Sequence, residues 1–77
     1  MTIICHFIAE SGRLILSRSV DVLGDGDLAK IEEGTLKLAR ILMPFDWSVM
    51  RCTFETRRCS YVLLVTKSDL ESKEEFK

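Results

Sequence analysis

A chain of 77 residues has room for one domain, and a domain of this size buries only about 60% of its unfolded surface. Hydrophobic residues make up 47% of the composition, which is generous for so small a core and favours a partner that covers apolar surface. The net charge of −1, from 11 basic and 12 acidic residues, excludes a global electrostatic attraction to nucleic acid.

Neither a membrane span nor a secretory leader is expected. No run approaches the roughly 18 apolar residues that a span needs, and Met1–Ala9 lacks the basic start of a signal peptide. The three cysteines, Cys5, Cys52 and Cys59, are odd in number and lack CxxC spacing. This usage predicts reduced, buried thiols and a cytoplasmic location.

Two strands joined by a glycine-containing turn are predicted first, over Thr2–Ala9 and Leu14–Val20. Ile3–Ile8 is apolar at nearly every position, which predicts a strand covered on both faces or at least a central one. The second strand alternates only in part, and Arg18 interrupts its apolar face. That pattern is typical of an edge strand.

A helix is predicted next. Asp21–Asp27 carries two glycines that break regular structure, and Asp27 is suited to cap a helix over Leu28–Met43. The helix should end before Pro44, because a proline disfavours helical geometry in the preceding residue. Gly34 in mid-helix leaves two interpretations open, a close approach by another element or simple tolerance.

The apolar arc of this helix covers roughly half of its circumference, which is wider than one packing partner needs. Ile41 lies outside the arc, among polar residues. We therefore expect the helix to supply an interface for dimerisation, and either the helix or the exposed face of the sheet to bind a partner. The predicted interface residues are Leu28, Ile31, Thr35, Leu38, Ile41 and Leu42.

A second hairpin is predicted over Trp47–Glu55 and Cys59–Thr66. Its first strand alternates, whereas Tyr61–Val65 is apolar on both faces. Ser68–Lys77 reads as a charged C-terminal tail, in which Ser68 and Glu71 have capping-box spacing, so that a turn or two of helix is expected there.

These elements predict an α+β fold of the order ββαββ, with one domain over residues 1–67 and a tail over 68–77. The two strands that are apolar throughout are expected side by side in the middle. A four-stranded antiparallel sheet of order 2-1-4-3 follows, with the helix packed across one face.

No catalytic, cofactor or metal site is predicted. Cys5 and His6 are neighbours on a strand and point to opposite faces, which disfavours zinc. Asp21, Asp25 and Asp27 lack EF-hand spacing and suit a loop with a helix cap. His6 lies inside an apolar strand without the surroundings of a general base, so we expect no enzyme. A small enzyme or metal protein built on Cys5, His6 and Cys52 is a weaker alternative.

Basic residues around the second hairpin provide an alternative function. Arg51, Arg57 and Arg58 could contact nucleic acid, with Tyr61 or Trp47 available to stack on a base. Charged side chains also protect the edges of sheets from unwanted pairing, and we favour that interpretation.

The segment Phe7–Arg18 resembles the opening hairpin of Roadblock-type dynein light-chain domains, which are related to longin domains. The Asp-rich loop, the helix and the closing Tyr61–Val65 resemble that family in order and length. The chain would be a minimal version, without the family's first helix and with two strands after the central helix instead of three. The resemblance implies a non-enzymatic homodimer that serves as a scaffold or regulator for a Ras-like small GTPase or for a trafficking or motor complex.

Overall fold

The computed structural model describes residues 1–23, 27–55, 57–58 and 60–75, and it has the α+β fold that the sequence predicted. Six elements follow one another along the chain. They are β1 (Thr2–Ile8), β2 (Leu14–Asp21), α1 (Leu28–Ile41), β3 (Val49–Glu55), β4 (Ser60–Thr66) and α2 (Lys67–Glu75).

The four strands form one antiparallel sheet in the order β2-β1-β3-β4. The predicted order 2-1-4-3 is therefore wrong in its second half, because β3 and not β4 pairs with β1. The described residues cover the sheet on one face only, and a central strand in such a sheet alternates, as β3 does. β4 is apolar on both faces and yet lies at an edge, so its side chains on the uncovered face are exposed.

One face of the sheet, the inner face, packs against α1. Residues at every second position of β1 and β3 point to it and are buried. They join residues from α1, α2 and the connections before and after α1 in one core: Ile3, Cys5, Phe7, Val22, Ile31, Ala39, Leu42, Trp47, Met50, Cys52, Phe54 and Leu70. The Cα positions extend over 33 × 31 × 17 Å, and the small third dimension corresponds to two layers, a sheet and its helices.

The ends of α1 are fixed by side chains. Asp27 caps the first turn as predicted, since its Oδ1 accepts a hydrogen bond of 3.0 Å from the amide of Ala29. The helix ends at Ile41, two residues before the predicted end at Met43. Nε1 of buried Trp47 donates to the carbonyl oxygen of Leu42 at 2.7 Å, which satisfies one acceptor beyond the last turn.

Trp47 precedes β3 instead of opening it, and its side chain is buried in the core. The indole packs edge to face on Phe7, with ring centroids 5.1 Å apart. Nζ of Lys67 lies 5.3 Å from the centroid of the same ring, in the range of a cation–π contact. The start of α2 is thereby held against the end of β1 and the α1–β3 connection.

The predicted charged tail forms a helix that takes part in the core. α2 begins directly after β4, and the amide of Asp69 donates to Oγ1 of Thr66 at 3.2 Å. The cap is therefore Thr66 and not Ser68. Leu70 is the residue that decides the position of α2, because its side chain is buried with the core residues of the inner face.

Candidate interaction surface

The second face of the sheet, called the outer face here, is left open by the packing of the described residues. The described part of the chain places no helix over it, and most of its side chains are exposed. Ile4 is 47% exposed, Val62 62% and Leu64 63%. Large apolar side chains grouped on one open face are typical of an interaction site.

The strand register shows how these residues are arranged. Ile4 of β1 lies opposite Thr53 of β3, which lies opposite Val62 of β4. In the next row His6 lies opposite Arg51, and Arg51 lies opposite Leu64. Apolar groups thus flank a polar centre that holds the half-buried His6 and the exposed Arg51.

A concave region of about 1010 Å³ adjoins the outer face at the end where the β3–β4 hairpin turns. Arg57 and Arg58 line it together with Glu55, and Tyr61 lines it from β4. The Tyr61 ring stacks on Phe54 with an interplanar angle of 15° and a centroid distance of 5.2 Å. Of the arginines predicted as nucleic-acid contacts, Arg57 and Arg58 therefore share this concavity, whereas Arg51 lies in the middle of the outer face.

The six helix residues predicted as an interface are divided by the fold. Ile31, Thr35 and Leu42 are buried in the core of their own chain, and Leu38 is half-buried. Leu28 and Ile41 are exposed, Ile41 to 72%. Only Leu28, Ile41 and part of Leu38 are therefore open to a partner without unfolding, because the sheet covers more of the apolar arc than its width suggested.

Cys5 and Cys52 are buried free thiols, as predicted, and Cys59 lies outside the described residues. They lie opposite each other on β1 and β3, and Sγ of Cys52 donates to Sγ of Cys5 at 3.0 Å. This hydrogen bond lowers the pKa of Cys5, against the opposing effect of burial. The same bond, together with burial, raises the pKa of Cys52 above its usual range.

His6 is on the outer face and Cys5 on the inner face, as their adjacent positions predicted. Among residues 1–23, 27–55, 57–58 and 60–75, no three side chains of His, Cys, Asp or Glu come together in a group that could hold a metal ion. Asp25 of the predicted acidic loop lies outside the described residues, whereas Asp21 accepts a hydrogen bond of 2.8 Å from the hydroxyl of Thr2.

No family model matches the chain, and neither a curated protein nor a solved structure is significantly similar to it.

Neither α1 nor α2, the helices in the described part of the chain, has the length and apolar character to cross a bilayer.

The sequence predicted the exposed face of the sheet as an alternative to the helix for partner binding, but no residue of that face was singled out. The signal was present, since Ile4, Val62 and Leu64 belong to the two segments that are apolar on both faces. That pattern was interpreted as cover on both sides of the sheet. A single layer of helices covers only one face of a sheet. The same pattern is therefore also typical of a strand whose second apolar face binds another molecule.

Proposed function

We propose that this chain is a non-enzymatic interaction module that self-associates and holds a protein partner on the outer face of its sheet. The observation that carries the proposal is the exposure of Ile4, Val62 and Leu64 on one open face. A domain of this length gains little from its own core, so covering such a face adds stability as well as specificity.

The partner class that we propose is a Ras-like small GTPase, or a protein of a trafficking or motor complex. This part rests on the resemblance of residues 7–18, of the central helix and of Tyr61–Val65 to Roadblock-type domains. The structure supports binding of a partner with the outer face, where apolar side chains surround a polar centre of His6 and Arg51. Interfaces between proteins commonly combine an apolar contact area with a few polar groups that fix orientation.

The first test is the solution mass of the purified chain, measured by sedimentation from low to high micromolar concentration. We expect a dimer at the upper end of this range. A mass that remains that of one chain at every concentration would contradict self-association.

The second test assigns the partner to one side of the molecule. Ile4→Thr keeps a β-branched residue on the outer face and removes apolar contact area, and Ile41→Thr makes the same exchange on the exposed side of α1. Binding of purified Ras-like GTPases, loaded with GDP or with a GTP analogue, should weaken with Ile4→Thr and stay unchanged with Ile41→Thr. The reverse result would move the partner to the helix, and binding of no GTPase by the native chain would remove this partner class.

Nucleic acid is the second candidate ligand, because Arg57 and Arg58 share one concavity with Tyr61. Arginines next to a stacking ring are the usual components of a single-strand site. The discriminating measurement is the fluorescence anisotropy of a labelled oligonucleotide at rising salt. Binding that weakens with salt and is lost in Arg57→Ala with Arg58→Ala would favour this candidate over the protein partner.

A further inference from the structure

The two edges of the sheet are protected to very different degrees. β2 carries Arg18 and Asp21, and its pairing with β1 shifts register between Phe7 and Ile8. Charges and irregular pairing are the features that keep an edge from pairing with another chain. β4 has neither, since Ser60–Thr66 contains no charge, proline or glycine and pairs with β3 without a register shift over all seven residues.

We infer that β4 pairs with β4 of a second copy of this chain, antiparallel and about a two-fold axis at Leu63. The inference rests on the proposed self-association and specifies its geometry. In this register Leu63 meets Leu63 of the second copy, Tyr61 meets Val65, and Val62 meets Leu64. Every pair from Ser60 to Thr66 is uncharged, and the Tyr61–Val65 pair joins an aromatic to a β-branched residue, a combination that stabilises sheets.

The register is set by the two faces of β4. Tyr61, Leu63 and Val65 belong to the inner face, and Val62 and Leu64 belong to the outer face. A two-fold axis at Leu63 pairs inner with inner and outer with outer residues. A shift by one residue would place inner residues opposite outer ones. A shift by two residues would still pair inner with inner and outer with outer residues, but it would leave part of the strand unpaired. The axis at Leu63 pairs every residue of β4.

The position of α2 is compatible with this pairing. Leu70 is buried in the core of the inner face, so α2 belongs to the helix layer together with α1. The pairing would therefore give one continuous eight-stranded sheet, with the helices of both copies on one side. Val62 and Leu64 of both copies would lie at the centre of the joined outer face, and Tyr61, which is 40% exposed in the single chain, would gain an apolar neighbour.

The decisive experiment is disulfide trapping with Leu63→Cys. Directly opposite residues of an antiparallel pair have Cβ atoms about 4.5–5.5 Å apart, close to the spacing that a disulfide needs. Mild oxidation should link two chains of this variant through the introduced cysteines, as mapped by mass spectrometry. The native chain controls for its own three cysteines, and Ser19→Cys, on the exposed β2 edge, is the matched control that should stay unlinked.

A second variant covers the case in which Leu63→Cys does not fold. Val62→Lys changes an exposed side chain and places a positive charge of each copy next to the two-fold axis. Because these like charges repel each other, the variant should be a monomer. Ser19→Lys places the same charge on β2 and should leave the dimer intact. Circular dichroism checks that both variants fold.

The outcomes separate this inference from the proposed function. A native chain that stays monomeric at all concentrations overturns both. A native dimer that gives no link through Leu63→Cys and persists in Val62→Lys overturns the β4 pairing and leaves self-association through another surface. Assemblies larger than two chains overturn the closed two-fold arrangement.

Discussion

Gly34 marks a close approach of α1 to β2 and the segment that follows it. A Cβ atom at this position would lie 3.3 Å from Cγ1 of Val20 and 3.7 Å from Cγ2 of Val22. The first distance requires Val20 to move by a few tenths of an ångström, whereas the second is an ordinary contact. Of the two interpretations that the sequence left open for this glycine, the structure therefore favours the close approach.

Gly34→Ala is consequently expected to have two opposing effects. Alanine favours the helix by about 1 kcal/mol relative to glycine, and displacement of Val20 offsets part of that gain. In a Val20→Ala background the obstacle is absent, so Gly34→Ala should raise the free energy of unfolding by the larger amount there. Urea unfolding of the native chain, both single variants and the double variant measures the coupling. Equal gains in the two backgrounds would show that Val20 does not restrict position 34.

Thr35 is a polar residue of α1 that is buried in the core. Its hydroxyl donates to the carbonyl oxygen of Ile31 at 2.8 Å, so the polar atom is satisfied within the helix. The residue can then be buried completely in the core without an unsatisfied donor. Its place on the arc was predictable from the helical period, but burial by its own sheet depends on tertiary packing.

Among the elements, α2 is the one whose role the sequence describes least well. It has nine residues, mostly charged, and so short a helix is not stable in water by itself. Leu70 and Lys67 hold it to the rest of the chain. Leu70 enters the core, and the Lys67 ammonium group lies over the Trp47 ring and donates to the carbonyl oxygen of Phe45.

Leu70→Ala should therefore lower the free energy of unfolding by about 2–5 kcal/mol, the usual cost of truncating a buried leucine. It should also reduce the helical signal in circular dichroism, because α2 loses the side chain that docks it. Leu23→Ala is the matched control, since Leu23 is 89% exposed and should change stability by at most about 0.5 kcal/mol. Similar losses in both variants would contradict the docking of α2 through Leu70.

The elements themselves follow largely from local sequence, whereas their arrangement does not. Asp27 as a cap, α1 and all four strands were predictable, because capping and periodicity are properties of neighbouring residues. The order of β3 and β4 was mispredicted, since apolar residues on both faces of a strand fit a central strand and an exposed edge equally well. Leu70 was missed because one apolar residue in a charged segment has no period to reveal it.

The described part of the molecule has two layers, a sheet and its helices, so the outer face of the sheet is left uncovered. The dimension of 17 Å leaves the outer face without a second packing partner in the described residues. A chain of this size has little stability to spare, so association should contribute measurably to folding. The candidate site therefore follows from the absence of a layer, which no single segment of the sequence encodes.

Thermal stability should consequently depend on protein concentration. For a dimer that dissociates on unfolding, a tenfold rise in concentration adds about 1.4 kcal/mol per dimer, or about 0.7 kcal/mol per chain. In a domain of this size that corresponds to an increase in Tm of roughly 3–6 °C per tenfold concentration. Val62→Lys, which should prevent β4 pairing, should melt at a Tm that does not change with concentration. Calorimetry of both proteins over two decades of concentration makes the comparison. A native Tm that is independent of concentration would show that folding gains nothing from a second copy.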